Sequence, residues 1–202
     1  MSSWFSFQRK GWFAALLTAL LLTAGLAACS HPDTTPWKLT DVSGHLPDLD
    51  FNLTDDTGKP VTGQSFAGQT TLVYFGYTHC PDICPTTMAD ISVALKQVPT
   101  GVRQQTRVVF ITTDPARDTP AAIKQWLGNF DAGLPVPFIG LTGTRRQVDG
   151  AQRLAGVPVA QDNGQTHSTE VLLYGIDDMS RDFFLTGTSP SDYSHDLQVV
   201  SK

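Results

Sequence analysis

An α/β domain, with a central mixed β-sheet flanked by helices, is the fold class that this 202-residue chain predicts. Three observations carry the prediction. Nearly continuous apolar runs have strand length, helical-period segments separate them, and near residue 168 the rhythm changes to two strands in succession. One domain is the default at this length, with enough apolar residues to build one core. The net charge of −5, with no block of Lys or Arg, argues against a nucleic-acid partner.

Taken in order, Asp50-Phe-Asn-Leu-Thr and the following Asp55-Asp-Thr-Gly-Lys read as a short strand and a tight turn. Thr70-Thr-Leu-Val-Tyr-Phe-Gly reads as a buried central strand. From Thr86 to Val98, the residues Met88, Ile91, Leu95 and Val98 recur at helical spacing. Met88 is a soft side chain, but its place in that stripe makes it a core residue. Arg107-Val-Val-Phe-Ile-Thr-Thr is the next strand. Thr119-Pro120 then opens a helix that carries Ile123, Trp126, Leu127 and Phe130 on one face. Pro137-Phe-Ile-Gly-Leu is a third strand. A helix over 144–155 turns Val148, Ala151, Leu154 and Ala155 inward and stops at Gly156. Residues 168–175 and 182–186 form a hairpin, and Ser189-Pro190 opens a final helix through Leu197 and Val200.

The first 29 residues read as an export segment outside the fold. Arg9 and Lys10 precede an apolar run that ends in Leu26-Ala27-Ala28-Cys29. That ending looks like a bacterial lipobox, in which Cys29 takes the lipid. The alternative is an uncleaved anchor, although the run falls slightly short of the ~20 residues that span a bilayer. Either way the domain is tethered, and Arg9 and Lys10 stay on the cytoplasmic side. Residues 30–47 are polar and Pro-containing and read as a tether, with His31 and His45 as solvated surface residues. The domain is expected over 48–202. With Cys29 lipidated, Cys80 and Cys84 are the only thiols of the exported domain.

Those thiols lie in Tyr74-Phe-Gly-Tyr-Thr-His-Cys-Pro-Asp-Ile-Cys-Pro, where an apolar strand turns into a helix. A cysteine pair at such a junction points to a thioredoxin-like fold. On a regular helix, positions i and i+4 share one face, so both sulfurs can address one object. In an oxidising compartment such a pair needs a metal or a reductant to stay reduced. A purely structural bridge across so small a loop would add little. The helix N-terminus favours a thiolate at Cys80. A Cα separation of about 6 Å along a helix lies near the upper end of disulfide geometry, which tilts the pair toward chelation. His167, in Gly164-Gln-Thr-His-Ser-Thr-Glu, is a candidate third ligand if its loop folds over the cysteines; otherwise it is a solvated loop residue. Two thiolates and an imidazole suit Cu(I), or Cu(II) with a further ligand. Zinc in a structural site wants a fourth protein ligand. His79 adjoins Cys80 but reads as a surface residue or a neighbour of the site.

The cysteine run, the segment Thr112-Thr-Asp-Pro-Ala-Arg-Asp-Thr-Pro and the late His167-Ser together closely resemble the Sco/SenC family of membrane-tethered copper chaperones. The resemblance covers residues 49–200. It implies a thioredoxin-like fold with an inserted β-hairpin, and Cys80, Cys84 and His167 as copper ligands. It also implies delivery of copper to the binuclear centre of cytochrome c oxidase subunit II, or reduction of that subunit's cysteines through a Cys80–Cys84 disulfide. A copper donor and a thiol reductant in the periplasm are the implied counterparts, and a lipoprotein of the bacterial envelope the implied location. One departure stands out. The family commonly has an Asp directly before the ligand His, and this chain has Thr166, with Asp162 nearby in the loop. Asp114, Arg117 and Asp118 are a candidate docking or supporting cluster, against the simpler account of a capped helix start with a surface ion pair. A thiol peroxidase, the remaining activity on this fold, lacks its Pro-x-x-x-Thr-x-x-Cys signature at both cysteines.

Overall fold

The computed structural model describes residues 37–201. The strands are β1 (Thr40–Asp41), β2 (Asn52–Asp55), β3 (Pro60–Thr62), β4 (Thr70–Gly76), β5 (Thr106–Thr112), β6 (Ile139–Thr142), β7 (Val171–Tyr174) and β8 (Ser180–Phe184). They form one mixed sheet in the order β1-β8-β7-β4-β5-β6-β2-β3. The centre is parallel, β4 with β5 and β5 with β6, and the flanking pairs are antiparallel. All seven residues of β4 are buried, as expected of a strand covered on both faces.

Alternation along the strands divides the core in two. Leu72, Tyr74 and Phe110 face α1 (Ile83–Gln97), α3 (Pro120–Leu127) and α5 (Pro190–Val200), meeting Met88, Ile91, Ile123 and Leu197. Val73, Phe75, Val109 and Ile111 face the other way, onto Val148 and Ala151 of α4 (Arg145–Leu154). Each fully buried side chain of this size contributes about 1.5–3 kcal/mol. Both Pro-led helices start where the sequence places them. Thr119 accepts from Ala122 N–H at 3.2 Å and Ser189 from Asp192 N–H at 3.3 Å, with proline at the first helical position. Leu154, expected inward, is 44% exposed, because at about 100° per residue it falls off the stripe formed by Val148, Ala151 and Ala155. α2 (Thr100–Gln105) buries no residue and left no periodic signal. β3 begins with a proline, which suits its place at the sheet edge.

Export segment 1–29, with Cys29, lies outside the described residues. Among the described residues no helix is long and apolar enough to cross a membrane. Residues 37–47, expected as tether, instead belong to the fold. β1 pairs with β8, Val42 is buried, and Lys38 N–H donates to the Asp196 carboxylate at 3.0 Å. The signal was weak because a two-residue strand has no periodicity, and its anchor lies 158 positions downstream.

That anchor has an unusual neighbour. Asp182 on β8 is fully buried, and among the described residues neither of its oxygens finds a hydrogen-bond donor. Burial first, and then Asp196 and Asp41, push the Asp182 carboxyl well above the ordinary carboxylate range. Asp196 in turn receives Nδ1 of His195 at 2.6 Å. A folded-state value above the unfolded one means the contribution is fully present below about pH 4 and is lost as pH rises through the folded value. Denaturant unfolding of the wild type should therefore show stability falling over that interval. Asp182→Asn, which is neutral throughout, should flatten the profile and be the more stable form at pH 8. Parallel pH profiles for the two proteins would contradict this assignment.

Candidate metal centre

The site begins where β4 ends. Gly76 has to be a glycine, since a Cβ there would lie 2.9 Å from Cys84 Sγ and 3.0 Å from the Tyr74 ring. Beyond it the chain turns, with Cys80 N–H donating to the Tyr77 carbonyl at 3.2 Å. α1 starts only at Ile83, so Cys80 precedes the helix and Cys84 lies in its first turn. This corrects the expectation that both cysteines ride on one helical face. The turn still brings the sulfurs together, because Cys80 Sγ folds back to accept Cys84 N–H at 3.4 Å. A thiolate thereby meets amide groups that a helix start leaves open.

The two thiols, both free, sit in different environments. For Cys80, partial burial opposes ionisation, but hydrogen bonds from the N–H groups of Cys84, Asp82 and Ile83 hold its pKa below the usual thiol value. Cys84 is fully buried, and burial pushes its thiol up to about 12. The Tyr74 hydroxyl lies 3.6 Å from its sulfur, within donating reach.

His167 reaches the pair from the loop before β7. Its Nδ1 lies 2.6 Å from the Ser168 carbonyl, which can only accept, so Nδ1 carries the proton. Nε2 is left with its lone pair and lies 3.5 Å from Cys84 Sγ. Burial lowers the His167 pKa, so the ring is neutral and ready to ligate at neutral pH. Tyr77 packs edge-on against the imidazole, with centroids 5.6 Å apart and planes at 87°. The donor atoms of Cys80, Cys84 and His167 all lie within 4.8 Å of one another; among the described residues no other group of three or more His, Cys, Asp or Glu converges in this way. Two soft sulfurs and one imidazole nitrogen fit a soft, three-coordinate metal ion.

The Thr166 departure is resolved locally. Thr166 Oγ1 donates to Asp162 at 2.9 Å and leaves the imidazole alone, so a backbone carbonyl orients the ring in place of a carboxylate. Met88 lies in the core and His45 on the surface, as expected. His79, 55% exposed, points its Nδ1 at Thr78 Oγ1, 3.0 Å away, and not at the sulfurs.

Asp114, Arg117 and Asp118 do more than cap a helix. Asp118 is fully buried and accepts from Thr78 N–H at 3.0 Å, Thr78 Oγ1 at 2.6 Å and Thr112 Oγ1 at 2.6 Å. It thus ties the end of β5 to the turn that carries Cys80. Arg117 pairs with buried Asp114, and its guanidinium lies 6.0 Å from the centre of the Tyr77 ring that meets His167. The roles of Thr78 and Tyr74 have no signal in the sequence, because a threonine and a strand tyrosine carry no chemical signature of their own. Ser168 acts through its backbone and left no signal at all.

A thioredoxin-like sheet with two thiols and an imidazole converging at its strand-to-helix junction defines a class of protein equipped for thiol or soft-metal chemistry. Within that class, this chain belongs to the SCO1/SenC family, whose family model matches residues 42–202. It is 36% identical to the mitochondrial SCO1 homolog of Mus musculus over 142 residues, which is 66% of this chain and 49% of that protein. It is 41% identical to mitochondrial SCO2 of Saccharomyces cerevisiae over 98 residues, 48% of this chain and 31% of that one. The chain therefore spans half or less of the length of these two relatives. The solved structure of Bradyrhizobium japonicum ScoI with copper bound superposes with a TM-score of 0.62 at 32% identity, covering 76% of this chain and 99% of that one.

Proposed function

We propose that this protein is a copper-binding metallochaperone, tethered through lipid on Cys29 to a bacterial envelope membrane and facing the periplasm. In this reading residues 1–29 are the lipoprotein signal, and copper is cargo held by Cys80, Cys84 and His167. The observation that carries it is the approach of those three donor atoms to within 4.8 Å. The donor set supports copper over zinc, since it supplies three protein ligands, two of them soft. The relative ScoI, which binds copper, supports the same choice. The acceptor we propose is the binuclear copper centre of cytochrome c oxidase subunit II, following the motif resemblance. Titration of the reduced protein with Cu(I) against a chromophoric chelator should yield one copper per chain. His167→Ala should weaken binding by more than about tenfold, since residues that merely orient a ligand cost that much. Unchanged affinity in that variant would sink the three-ligand site.

The unequal thiols favour a second reading, a thiol–disulfide oxidoreductase. The Cys80 thiolate would attack a partner disulfide and release one partner thiolate. Cys84, giving up its proton, would then displace the other partner sulfur and close a Cys80–Cys84 disulfide. Two electrons thus pass to the partner. Iodoacetamide should label Cys80 and spare Cys84, with a pH midpoint for Cys80 lower than that of an unperturbed thiol. Labelling of both at equal rates would count against it.

A further inference from the structure

The loop that delivers His167 is built on three consecutive left-handed residues. Asp162, Asn163 and Gly164 have φ of 51°, 57° and 98°. Asp and Asn tolerate this region better than most residues, yet it is sparsely populated and persists where surroundings over-determine it. The neck of the loop closes on itself, Gln161 N–H donating to the Thr166 carbonyl at 2.7 Å. That bond shapes the loop but does not place it relative to the cysteines.

Placement comes from two residues outside the loop. Thr113, buried just past the end of β5, donates its N–H to the Gly76 carbonyl at 2.6 Å. Its hydroxyl lies 3.1 Å from the same carbonyl and 2.7 Å from that of Gly164. One residue therefore joins the strand leading to Cys80 and the loop leading to His167. The approach is so close that a Cβ on Gly164 would collide with the Thr113 carbonyl. Arg145, the first residue of α4, closes the arrangement. It donates through Nη1 to the Thr113 carbonyl at 2.7 Å and through Nη2 to the Asn163 carbonyl at 3.1 Å. A planar guanidinium holds two carbonyls at a fixed separation, which a lysine ammonium cannot do. Its acidic neighbour Asp149 stands at 3.8 Å, so the backbone carbonyls are its nearer partners.

We propose that Arg145 is a positioning residue of the metal centre, clamping the His167 loop to the end of β5 and so setting the reach of Nε2 toward the two sulfurs. The inference rests on the reading of Cys80, Cys84 and His167 as a metal site, but the clamp itself can be tested without metal. In the metal-free protein, nitrogen NMR of the His167 ring should report the Nδ1–H tautomer for the wild type. In Arg145→Met the two tautomers should mix, and amide exchange at Gln161 and Gly164 should accelerate. With copper, Arg145→Met should bind about 10- to 100-fold more weakly. Arg145→Lys should fall between it and the wild type, and carries the same comparison should Arg145→Met fail to fold. The loss should vanish in a His167→Ala background, where there is no imidazole left to place. An unchanged tautomer and exchange pattern would overturn the clamp. So would a copper loss that persists undiminished beside His167→Ala. Failure of the wild type to bind copper would sink the metal reading and leave the NMR test of the clamp standing.

Discussion

Cys84→Ser is expected to abolish tight copper binding while leaving the fold in place. Loss of a group that only orients a ligand costs about 10- to 100-fold in affinity, so loss of the ligand itself should exceed about 100-fold. Serine nearly matches cysteine in shape, and the Tyr74 hydroxyl that lies 3.6 Å from Cys84 Sγ can still donate to an oxygen. What changes is softness: a neutral hydroxyl replaces a polarisable thiolate at a fully buried position. Copper competition titrations read the affinity, and circular dichroism melts of the metal-free protein read the fold. Copper affinity within tenfold of the wild type would remove Cys84 from the site.

Asp118→Ala should produce the largest loss of stability around the site. Three donors end on this fully buried carboxylate: Thr78 N–H, Thr78 Oγ1 and Thr112 Oγ1. Each donor left unpaired in the interior costs about 1–3 kcal/mol, and a net loss of about 3–5 kcal/mol in unfolding free energy is expected. The turn from Tyr77 to Cys80 loses its attachment to β5, so Cys80 should also react faster with alkylating agents. Asp118→Asn, which keeps the shape and one carbonyl acceptor, should lose less. An Asp118→Ala variant within about 1 kcal/mol of the wild type would return Asp118 to the role of a helix cap.

The parts of the fold legible in the sequence are those whose signal is local. β4 and β5 are read directly because strands covered on both faces carry unbroken apolar runs, here Leu72 to Phe75 and Val108 to Ile111. Thr119-Pro120 and Ser189-Pro190 announce their helices because cap and first turn are neighbours in the chain. β1 is hidden because it has only two residues and its partners, Phe183 and Asp182, lie far along the chain. The site divides the same way. Cys80 and Cys84 stand four positions apart and are seen at once. His167 was legible as a candidate, but its approach to Cys84 spans 83 positions, and its ring is oriented by a backbone carbonyl that any residue could supply. Cys80 stands at the mouth of α1 as expected, but Pro81 and Asp82 lie in a turn before Ile83, so the sulfurs meet across that turn and not along one helical face, a difference that spacing alone does not show. Asp118 was undervalued for a related reason. A carboxylate beside Arg117 reads as a surface pair until burial shows it bonded to Thr78 and Thr112.

The most direct test of the central claim is X-ray absorption at the copper edge of the copper-loaded protein, wild type beside His167→Ala. Two sulfur scatterers and one imidazole nitrogen are predicted for the wild type, with the nitrogen contribution lost in the variant and both sulfurs kept. A spectrum that is the same for both proteins, or that lacks two sulfurs, would contradict a site made of Cys80, Cys84 and His167.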